Sequence, residues 1–269
     1  MLRNLVRCAL MAATCGTTTL TVAHAQSMPP LDIHREAVDV AQYPWSAIGK
    51  LYNETGGACT AVIIARDKVL TAAHCIYNER TQRFIPAAAL HFLVGYTAGR
   101  YSVHARVASY VIGTGFDRLR YDATSDADWA VLSLDEPLPA EIEPLKLSAG
   151  ASPSGTKAVI AGYPQDRAFA MTADADCELR GPIDDGKLVT HTCRGIAGYS
   201  GAPILVGIGD KVEIAGIQIA TLKGDGRQKM LAVPAQTVRQ ALLDDAPMPS
   251  TLFAVNNMAG SAYGTFAFG

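Results

Sequence analysis

The stretch TAAHC, Thr71-Ala72-Ala73-His74-Cys75, closes a short apolar run and decides how the rest of the chain is interpreted. It places a histidine immediately before a cysteine that can be bonded back to Cys59. Such a bond would fix the segment that carries His74, and a catalytic base must be fixed to stay within hydrogen-bond reach of its partner. A lone histidine at a strand end is more often a buried structural residue, so the choice depends on what accompanies His74.

An acidic residue precedes a second apolar strand pattern, Asp128-Trp129-Ala130-Val131-Leu132. Burying this carboxylate without a partner would be costly, and an imidazole N–H is a partner that would also fix the histidine tautomer. Asp122 and Asp126 compete for the role, but they lie in the polar stretch 121–127, which is predicted to be a loop. We therefore predict that Asp128 orients His74, with a simple turn acid as the alternative.

The stretch GYSGAP, residues 198–203, surrounds one serine with glycines. Glycine lets the backbone turn sharply, so the amide groups of Gly198 and Ser200 can point at one spot. Acyl transfer needs a nucleophile, a base, an orienting acid and donors for an oxyanion. Ser200, His74, Asp128 and these two amides supply candidates for all four, although each signal alone also fits an ordinary turn or core residue.

Short apolar, β-branched segments separated by turn residues run through most of the chain and predict strands. They span 45–52, 59–65, 68–71, 90–94, 102–112, 129–134, 156–162, 188–193, 202–206, 212–220 and 230–233. Gly224-Asp225-Gly226 is typical of a hairpin loop, and residues 235–244, after Pro234, form the one convincing helical pattern. Many short strands with one late helix favour a closed all-β architecture, because closure removes exposed sheet edges.

The composition is that of an ordinary globular protein: 269 residues, 49% hydrophobic, 18% charged and a formal net charge of −2. Nothing in this balance indicates nucleic-acid binding.

Residues 1–25 carry Arg3 and Arg7, then an apolar run, then Ala23-His24-Ala25. This pattern predicts a secretory signal peptide that is cleaved after Ala25, with a retained membrane anchor as the weaker alternative.

Six cysteines are present, and removal of the leader takes away Cys8 and Cys15. Four cysteines in an exported chain predict two disulfides, for which three connectivities are possible. Sequence order favours the local pairs Cys59–Cys75 and Cys177–Cys193. A zinc site is the alternative, but zinc ligands typically come as closer C-x-x-C pairs with histidines nearby. We predict neither a metal nor a cofactor.

Together, TAAHC, DWAVL and GYSGAP, preceded by Tyr43-Pro44-Trp45, resemble the chymotrypsin-fold (trypsin-like) serine protease family. The resemblance runs from about Tyr43 to the predicted helix. It implies an all-β fold of two six-stranded antiparallel β-barrels, chymotrypsin-like, with a short C-terminal helix. The barrels would meet near 137–147, with the active site in the cleft between them.

The resemblance also implies roles within the site. His74 would be the general base, Asp128 its orienting acid and Ser200 the nucleophile, while the N–H groups of Gly198 and Ser200 would hold the oxyanion. The chain then divides into a signal peptide at 1–25, a lead or propeptide at 26–42, a trypsin-like peptidase domain at 43–246 and a C-terminal tail at 247–269.

Several positions depart from the family pattern. Tyr199 stands where trypsin-like enzymes carry an aspartate that pairs with a newly cleaved amino terminus, and a tyrosine is uncharged at neutral pH. The nearest candidate for a processed end is 32–38. Arg194 occupies the position of the trypsin specificity aspartate, so a preference for basic residues is not expected; Arg194 either lines the primary pocket, where it would attract an acidic side chain, or points to solvent. Gln218 occupies the position of a histidine with which glutamyl endopeptidases bind an acidic side chain, so a strict glutamate preference is not expected. The tentative substrate pocket is Arg194, Gly195 and Gln218, and the chain looks most like the bacterial secreted branch near the glutamyl endopeptidases.

These features predict a secreted or periplasmic serine endopeptidase that cleaves protein or peptide substrates through an acyl-enzyme intermediate. We expect a monomer without cofactor, nucleic-acid partner or membrane attachment after signal cleavage. Because GYSGAP departs from the family's usual GDSGGP, the alternative is a protease-like binding protein with little or no turnover.

Overall fold

The computed structural model describes residues 35–224 and 227–244, which lie in one compact unit. In that part of the chain the strands are β1 (Arg35–Ala37), β2 (Ile48–Asn53), β3 (Ala58–Ala65), β4 (Lys68–Thr71), β5 (Tyr77–Asn78), β6 (Arg83–Phe84), β7 (Leu90–Val94), β8 (Val103–Ile112), β9 (Ala130–Leu134), β10 (Lys146–Leu147), β11 (Lys157–Gly162), β12 (Thr172–Ile183), β13 (Leu188–His191), β14 (Pro203–Val206), β15 (Glu213–Gly224) and β16 (Arg227–Pro234).

The helices are short. The α-helices are α1 (Tyr121–Thr124) and α2 (Ala235–Leu243), and the 3-10 helices are Trp45–Ala47, Ala73–Ile76, Ala87–Ala89, Arg118–Arg120, Ser125–Ala127, Gln165–Arg167, Asp184–Gly186 and Gly209–Lys211. Within the described residues, no helix is both long and apolar enough to cross a membrane.

Two closed antiparallel barrels contain most of the strands. The first has the order β2-β3-β4-β9-β8-β7, and the second has the order β12-β11-β14-β15-β16-β13 and closes through pairing of β12 with β13. The predicted fold of two six-stranded barrels is therefore confirmed. At the margin of the second barrel, β10 pairs in parallel with β15.

Strand β1 lies before the predicted domain start at Tyr43. It pairs antiparallel with β12, and the register places Arg35 opposite Asp174 and Ala37 opposite Thr172. Residues from the predicted lead segment are thus part of the sheet of the second barrel.

The predicted elements agree closely with the structure in the first barrel, where β4 and β7 have the predicted bounds. Helix α2 ends one residue before the predicted end. The twelve-residue strand β12 was not predicted, because its alternating acidic residues mask the apolar pattern. Strands β15 and β16 pair as far as Gly224 and Arg227, although residues 225–226 of the predicted hairpin loop lie outside the described residues, as do 1–25 and 247–269.

One threonine of β3 ties the two barrels together. Thr60 is fully buried, its hydroxyl donates to the carbonyl of Gly198 (2.9 Å), and the same oxygen accepts the N–H of Tyr163 (3.0 Å). A single side chain of the first barrel therefore fixes two loops of the second barrel.

Candidate active site

His74 lies on the 3-10 helix Ala73–Ile76 that directly follows β4. The disulfide between Cys59 and Cys75 bonds this helix to β3, and Ala73 and Ile76 are fully buried beside it. The histidine backbone is held on both sides, while 18% of its side chain is exposed. A general base requires a fixed backbone together with an imidazole that can reach its partner, and His74 has both.

Asp128 is fully buried and faces His74. Its Oδ2 accepts the His74 Nδ1–H at 2.6 Å, and its Oδ1 accepts the His74 backbone N–H at 2.9 Å. Because Nδ1 carries the proton in this bond, the His74 Nε2 is left as an acceptor. The arrangement therefore selects the tautomer in which His74 can take a proton from a nucleophile.

Tyr121 is a third contributor that the sequence analysis missed, because residues 121–127 were predicted to be a loop. It begins α1, and its hydroxyl donates to Asp128 Oδ2 at 2.8 Å and lies 3.3 Å from the carbonyl oxygen of Ile219. Its ring stands edge-on to the His74 ring, with centroids 6.3 Å apart. Burial, followed by the charge of Asp128, raises the pKa of the phenol, so the hydroxyl stays protonated as a donor. No local sequence signal marks this residue.

Ser200 lies against the end of β4 through its neighbour Gly201. Gly201 has φ +75°, and a Cβ there would come within 2.1 Å of Thr71 Oγ1 and 2.4 Å of the Thr60 carbonyl oxygen. The Thr60 N–H also donates to the carbonyl of Ser200 at 3.0 Å. Only glycine permits this approach, which brings the serine backbone to the strand end that precedes His74.

The Ser200 side chain is half-buried. Among the described residues, no hydrogen bond joins its Oγ to His74. Catalytic hydrogen bonds in free enzymes are often long and tighten when substrate binds. The structure therefore brings the two residues to the same strand end without forming the bond between them.

The two predicted oxyanion donors lie on the turn that precedes Gly201. Gly198 has φ +96°, and a Cβ there would lie 2.3 Å from the Tyr163 carbonyl oxygen. The Tyr199 N–H donates to the carbonyl of Ile196 (3.0 Å), whereas in the described chain neither the Gly198 N–H nor the Ser200 N–H donates a hydrogen bond. These two amides are available to an anion.

The three predicted pocket residues lie on two segments. Gly195 is buried against the side chain of Gln218, which a Cβ at position 195 would meet at 3.1 Å. Arg194 is exposed, and its backbone N–H donates to Asp174 Oδ2 at 2.8 Å. The structure thus brings Gly195 and Gln218 into contact.

A buried histidine that the sequence analysis missed orients the Gln218 amide. His191 on β13 is 3% exposed, and its Nε2 lies 2.6 Å from Gln218 Oε1. Burial lowers the pKa of His191 to about 4, so the ring is neutral at neutral pH and its Nε2–H donates to Oε1. The Gln218 Nε2 in turn donates to the carbonyl of Ala220 at 2.7 Å. The oxygen and the nitrogen of the Gln218 amide therefore each have a hydrogen-bond partner.

Tyr199, the residue before the candidate nucleophile, is fully buried. Its hydroxyl lies 2.6 Å from Thr172 Oγ1 and donates to the Thr172 carbonyl at 3.1 Å. Burial raises the pKa of this phenol, which is therefore neutral. The phenol before Ser200 is thus buried, neutral and hydrogen-bonded to Thr172, at the position where trypsin-like enzymes carry an aspartate.

The second predicted disulfide, between Cys177 and Cys193, is also present and ties β12 to the segment that leads to Arg194.

One group with metal-ligand atoms close together, Cys59, His74 and Cys75, occurs in the described part of the chain. Its two sulfurs are bonded to each other, so they do not offer the thiolates that a metal site would need.

Comparisons with known proteins identify the family that the chain resembles. The family model described as Trypsin matches residues 34–240. A glutamyl endopeptidase of Bacillus licheniformis is 26% identical over 64% of this chain and 52% of its own length. Trypsin eta of Drosophila melanogaster is 26% identical over 51% of this chain and 49% of its own length. The chain thus spans about half the length of these curated relatives.

The fold is similar to that of a solved structure, a Glu endopeptidase in complex with MPD. The TM-score is 0.66 at 20% identity, and the match covers 79% of this chain and 96% of the solved one. At this identity the similarity concerns the fold alone.

Proposed function

The chain belongs to the trypsin family, and from this membership we propose that it is a serine endopeptidase in which Ser200 is the nucleophile, His74 the base and Asp128 the orienting acid. The observation that carries the proposal is the fully buried Asp128 carboxylate, whose Oδ2 accepts a hydrogen bond from the His74 Nδ1–H with 2.6 Å between Nδ1 and Oδ2. A buried aspartate with this one imidazole partner is hard to explain as a surface turn acid, since burying the charge costs several kcal/mol unless it is compensated.

The reaction follows from the roles of these groups. The Ser200 Oγ attacks the carbonyl carbon of the scissile bond, and His74 Nε2 takes the hydroxyl proton. The carbonyl oxygen becomes an oxyanion, which accepts hydrogen bonds from the N–H groups of Gly198 and Ser200. His74 then protonates the leaving amine, the C–N bond breaks, and water hydrolyses the remaining Ser200 ester by the reverse proton path.

The primary substrate pocket comprises Arg194, Gly195 and Gln218. Because Gln218 Oε1 accepts from His191, the part of this amide that remains for a substrate is an N–H of Nε2. Such a donor suits a side chain with an acceptor oxygen, and the exposed cationic Arg194 would favour an acidic one by a charge-assisted hydrogen bond. The relative named glutamyl endopeptidase supports this class of substrate.

Export to the periplasm or the exterior fits the same proposal. Two disulfides persist in oxidising compartments and are rare in the cytosol. The predicted signal peptide at 1–25 would direct the chain there, and the substrates would be proteins or peptides met outside the cytoplasm.

The alternative is a binding protein that keeps the fold without efficient turnover. It is favoured by Tyr199, which is neutral where the family carries a charge. It is also favoured because, among the described residues, no hydrogen bond joins Ser200 Oγ to His74. Cleavage of a peptide library by the secreted protein and by its Ser200→Ala variant distinguishes the two functions. We expect cleavage by the parent protein alone, with acceptor side chains enriched before the cut. Equal cleavage by both proteins, or by neither, would support the binding function.

A further inference from the structure

Arg35 is a buried cation close to the candidate nucleophile. It begins β1, and only 4% of its surface is exposed. Its guanidinium donates to both carboxylate oxygens of Asp166, from Nη1 at 3.1 Å and from Nη2 at 2.5 Å. The hydrogen bonds from Arg35 lower the pKa of Asp166, so the pair is charged on both sides at neutral pH. Bidentate pairs of this kind fix the relative geometry of the two segments that they join.

The same guanidinium lies over the residue before Ser200. Its Cζ is 6.0 Å from the centre of the Tyr199 ring, which is the range of a cation–π contact. The hydroxyl of that ring is bound to Thr172, and Thr172 lies opposite Ala37 in the β1–β12 ladder. Strand β1 therefore contributes to both ends of the Tyr199 side chain, directly to the ring and through β12 to the hydroxyl.

Asp166, the carboxylate partner, lies on the loop that supports the oxyanion donors. The Gln165 N–H donates to the carbonyl of Ala197 at 2.8 Å. A Cβ at Gly198 would lie 2.9 Å from this nitrogen and 2.3 Å from the Tyr163 carbonyl oxygen, so the Gly198 backbone rests directly on this loop. Movement of the Asp166 loop would move the Gly198 N–H with it.

We propose that Arg35 is a positioning residue for the oxyanion hole. From β1 it holds Asp166, and through it the loop under Gly198, and at the same time it holds Tyr199 next to Ser200. The cation that orders this segment is therefore a side chain within β1 rather than a newly cleaved amino terminus. Two consequences follow: the active form retains Arg35, and residues 35–37 belong to the functional enzyme. This inference rests on the proposed endopeptidase function and extends it.

The test compares Arg35→Met, Arg35→Lys and Asp166→Asn with the parent, all made as full chains. The control is Arg66→Met, because the Arg66 side chain also joins two segments, by donating to the Leu138 carbonyl, but it is exposed and lies on another loop. The readouts are kcat and KM on a peptide substrate and the Ki of the corresponding peptide aldehyde, whose tetrahedral adduct needs the oxyanion donors. Thermal unfolding of each variant gives the folded fraction.

For Arg35→Met we expect kcat to fall about 10- to 100-fold and the aldehyde Ki to weaken by the same factor, with KM changed less than about threefold. Arg35→Lys and Asp166→Asn should show smaller losses of the same kind, and Arg66→Met should stay within about twofold of the parent. If Arg35→Met does not fold, the two conservative variants decide. Unchanged kcat in those variants, a loss matched by Arg66→Met, or a fully active chain that begins after Arg35 would overturn the proposal. An inactive parent would instead overturn the proposed function.

Discussion

At the scale of single residues, the site is organised around one buried carboxylate. Asp128 accepts hydrogen bonds from the His74 backbone, the His74 ring and the Tyr121 hydroxyl. Three donors compensate the cost of burying the charged carboxylate. The same bonds fix the direction of the imidazole, so stabilising the carboxylate and orienting the base are one arrangement.

The contribution of Tyr121 can be isolated by Tyr121→Phe, which keeps the ring and removes the hydroxyl donor. Both bonds from His74 remain, so we expect an intact fold and a kcat/KM about tenfold lower, equivalent to about 1.4 kcal/mol. Steady-state kinetics measures the change, and Tyr101→Phe at an exposed position is the control. A kcat/KM equal to that of the control would mean that the hydroxyl does not support Asp128.

His191 should make the free energy of unfolding depend on pH. Its pKa is about 4 in the folded chain and near 6.5 when exposed, so between these values the unfolded chain binds a proton that the folded chain does not. Stability from this residue is therefore complete above pH 6.5 and falls by about 2 kcal/mol by pH 5. Urea unfolding at pH 7.5 and pH 5 tests this, because His191→Met should lose that part of the pH dependence. The same pH dependence in both proteins would refute the assignment.

At the scale of elements, the end of β4 and the turn at Gly201 are fitted to each other. Gly201→Ala would force a Cβ into Thr71 and the Thr60 carbonyl at a positive φ. We expect a loss of about 2–5 kcal/mol in the free energy of unfolding, from backbone strain together with overpacking. Gly99→Ala is the matched control, since Gly99 has φ +83° with open space around it and should cost only about 1 kcal/mol. Equal losses would mean that the contact with β4 does not constrain the turn.

The disulfide between Cys59 and Cys75 should stabilise the element that carries His74. It closes a loop with a sequence separation of 16, and its removal in a Cys59→Ser, Cys75→Ser double variant is expected to cost about 2–5 kcal/mol. Denaturant unfolding measures the cost, and the corresponding double variant at Cys177 and Cys193 provides the comparison. Finding Cys59 or Cys75 reactive toward a thiol reagent in the native protein would contradict the bond itself.

At the scale of the whole molecule, local sequence patterns predicted a closed all-β architecture and three candidate residues for a triad, while the two six-stranded barrels followed from the family resemblance. Each of those residues lies in a local motif with its own strand or turn signal, as in the TAAHC stretch. His191 and Arg35 were not predicted as parts of the site, because each reaches its partner only through long-range packing. Tyr121 is only seven positions from Asp128, but it lies in a polar stretch that predicts a loop and carries no motif of its own. Arg35 and Asp166 are 131 positions apart in the chain, and no periodicity or turn chemistry links them. Local rules describe elements, whereas these contacts arise from the topology that closes the barrels.

The central claim is that Ser200 is an activated nucleophile, and covalent labelling tests it most directly. The folded protein is treated with a fluorophosphonate, and the modified residue is identified by peptide mass spectrometry. We predict one adduct, on Ser200, that is absent from Ser200→Ala and strongly reduced in His74→Ala, because the hydroxyl then has no base. A folded parent protein that remains unlabelled, or that is labelled equally in the Ser200→Ala variant, would contradict the claim.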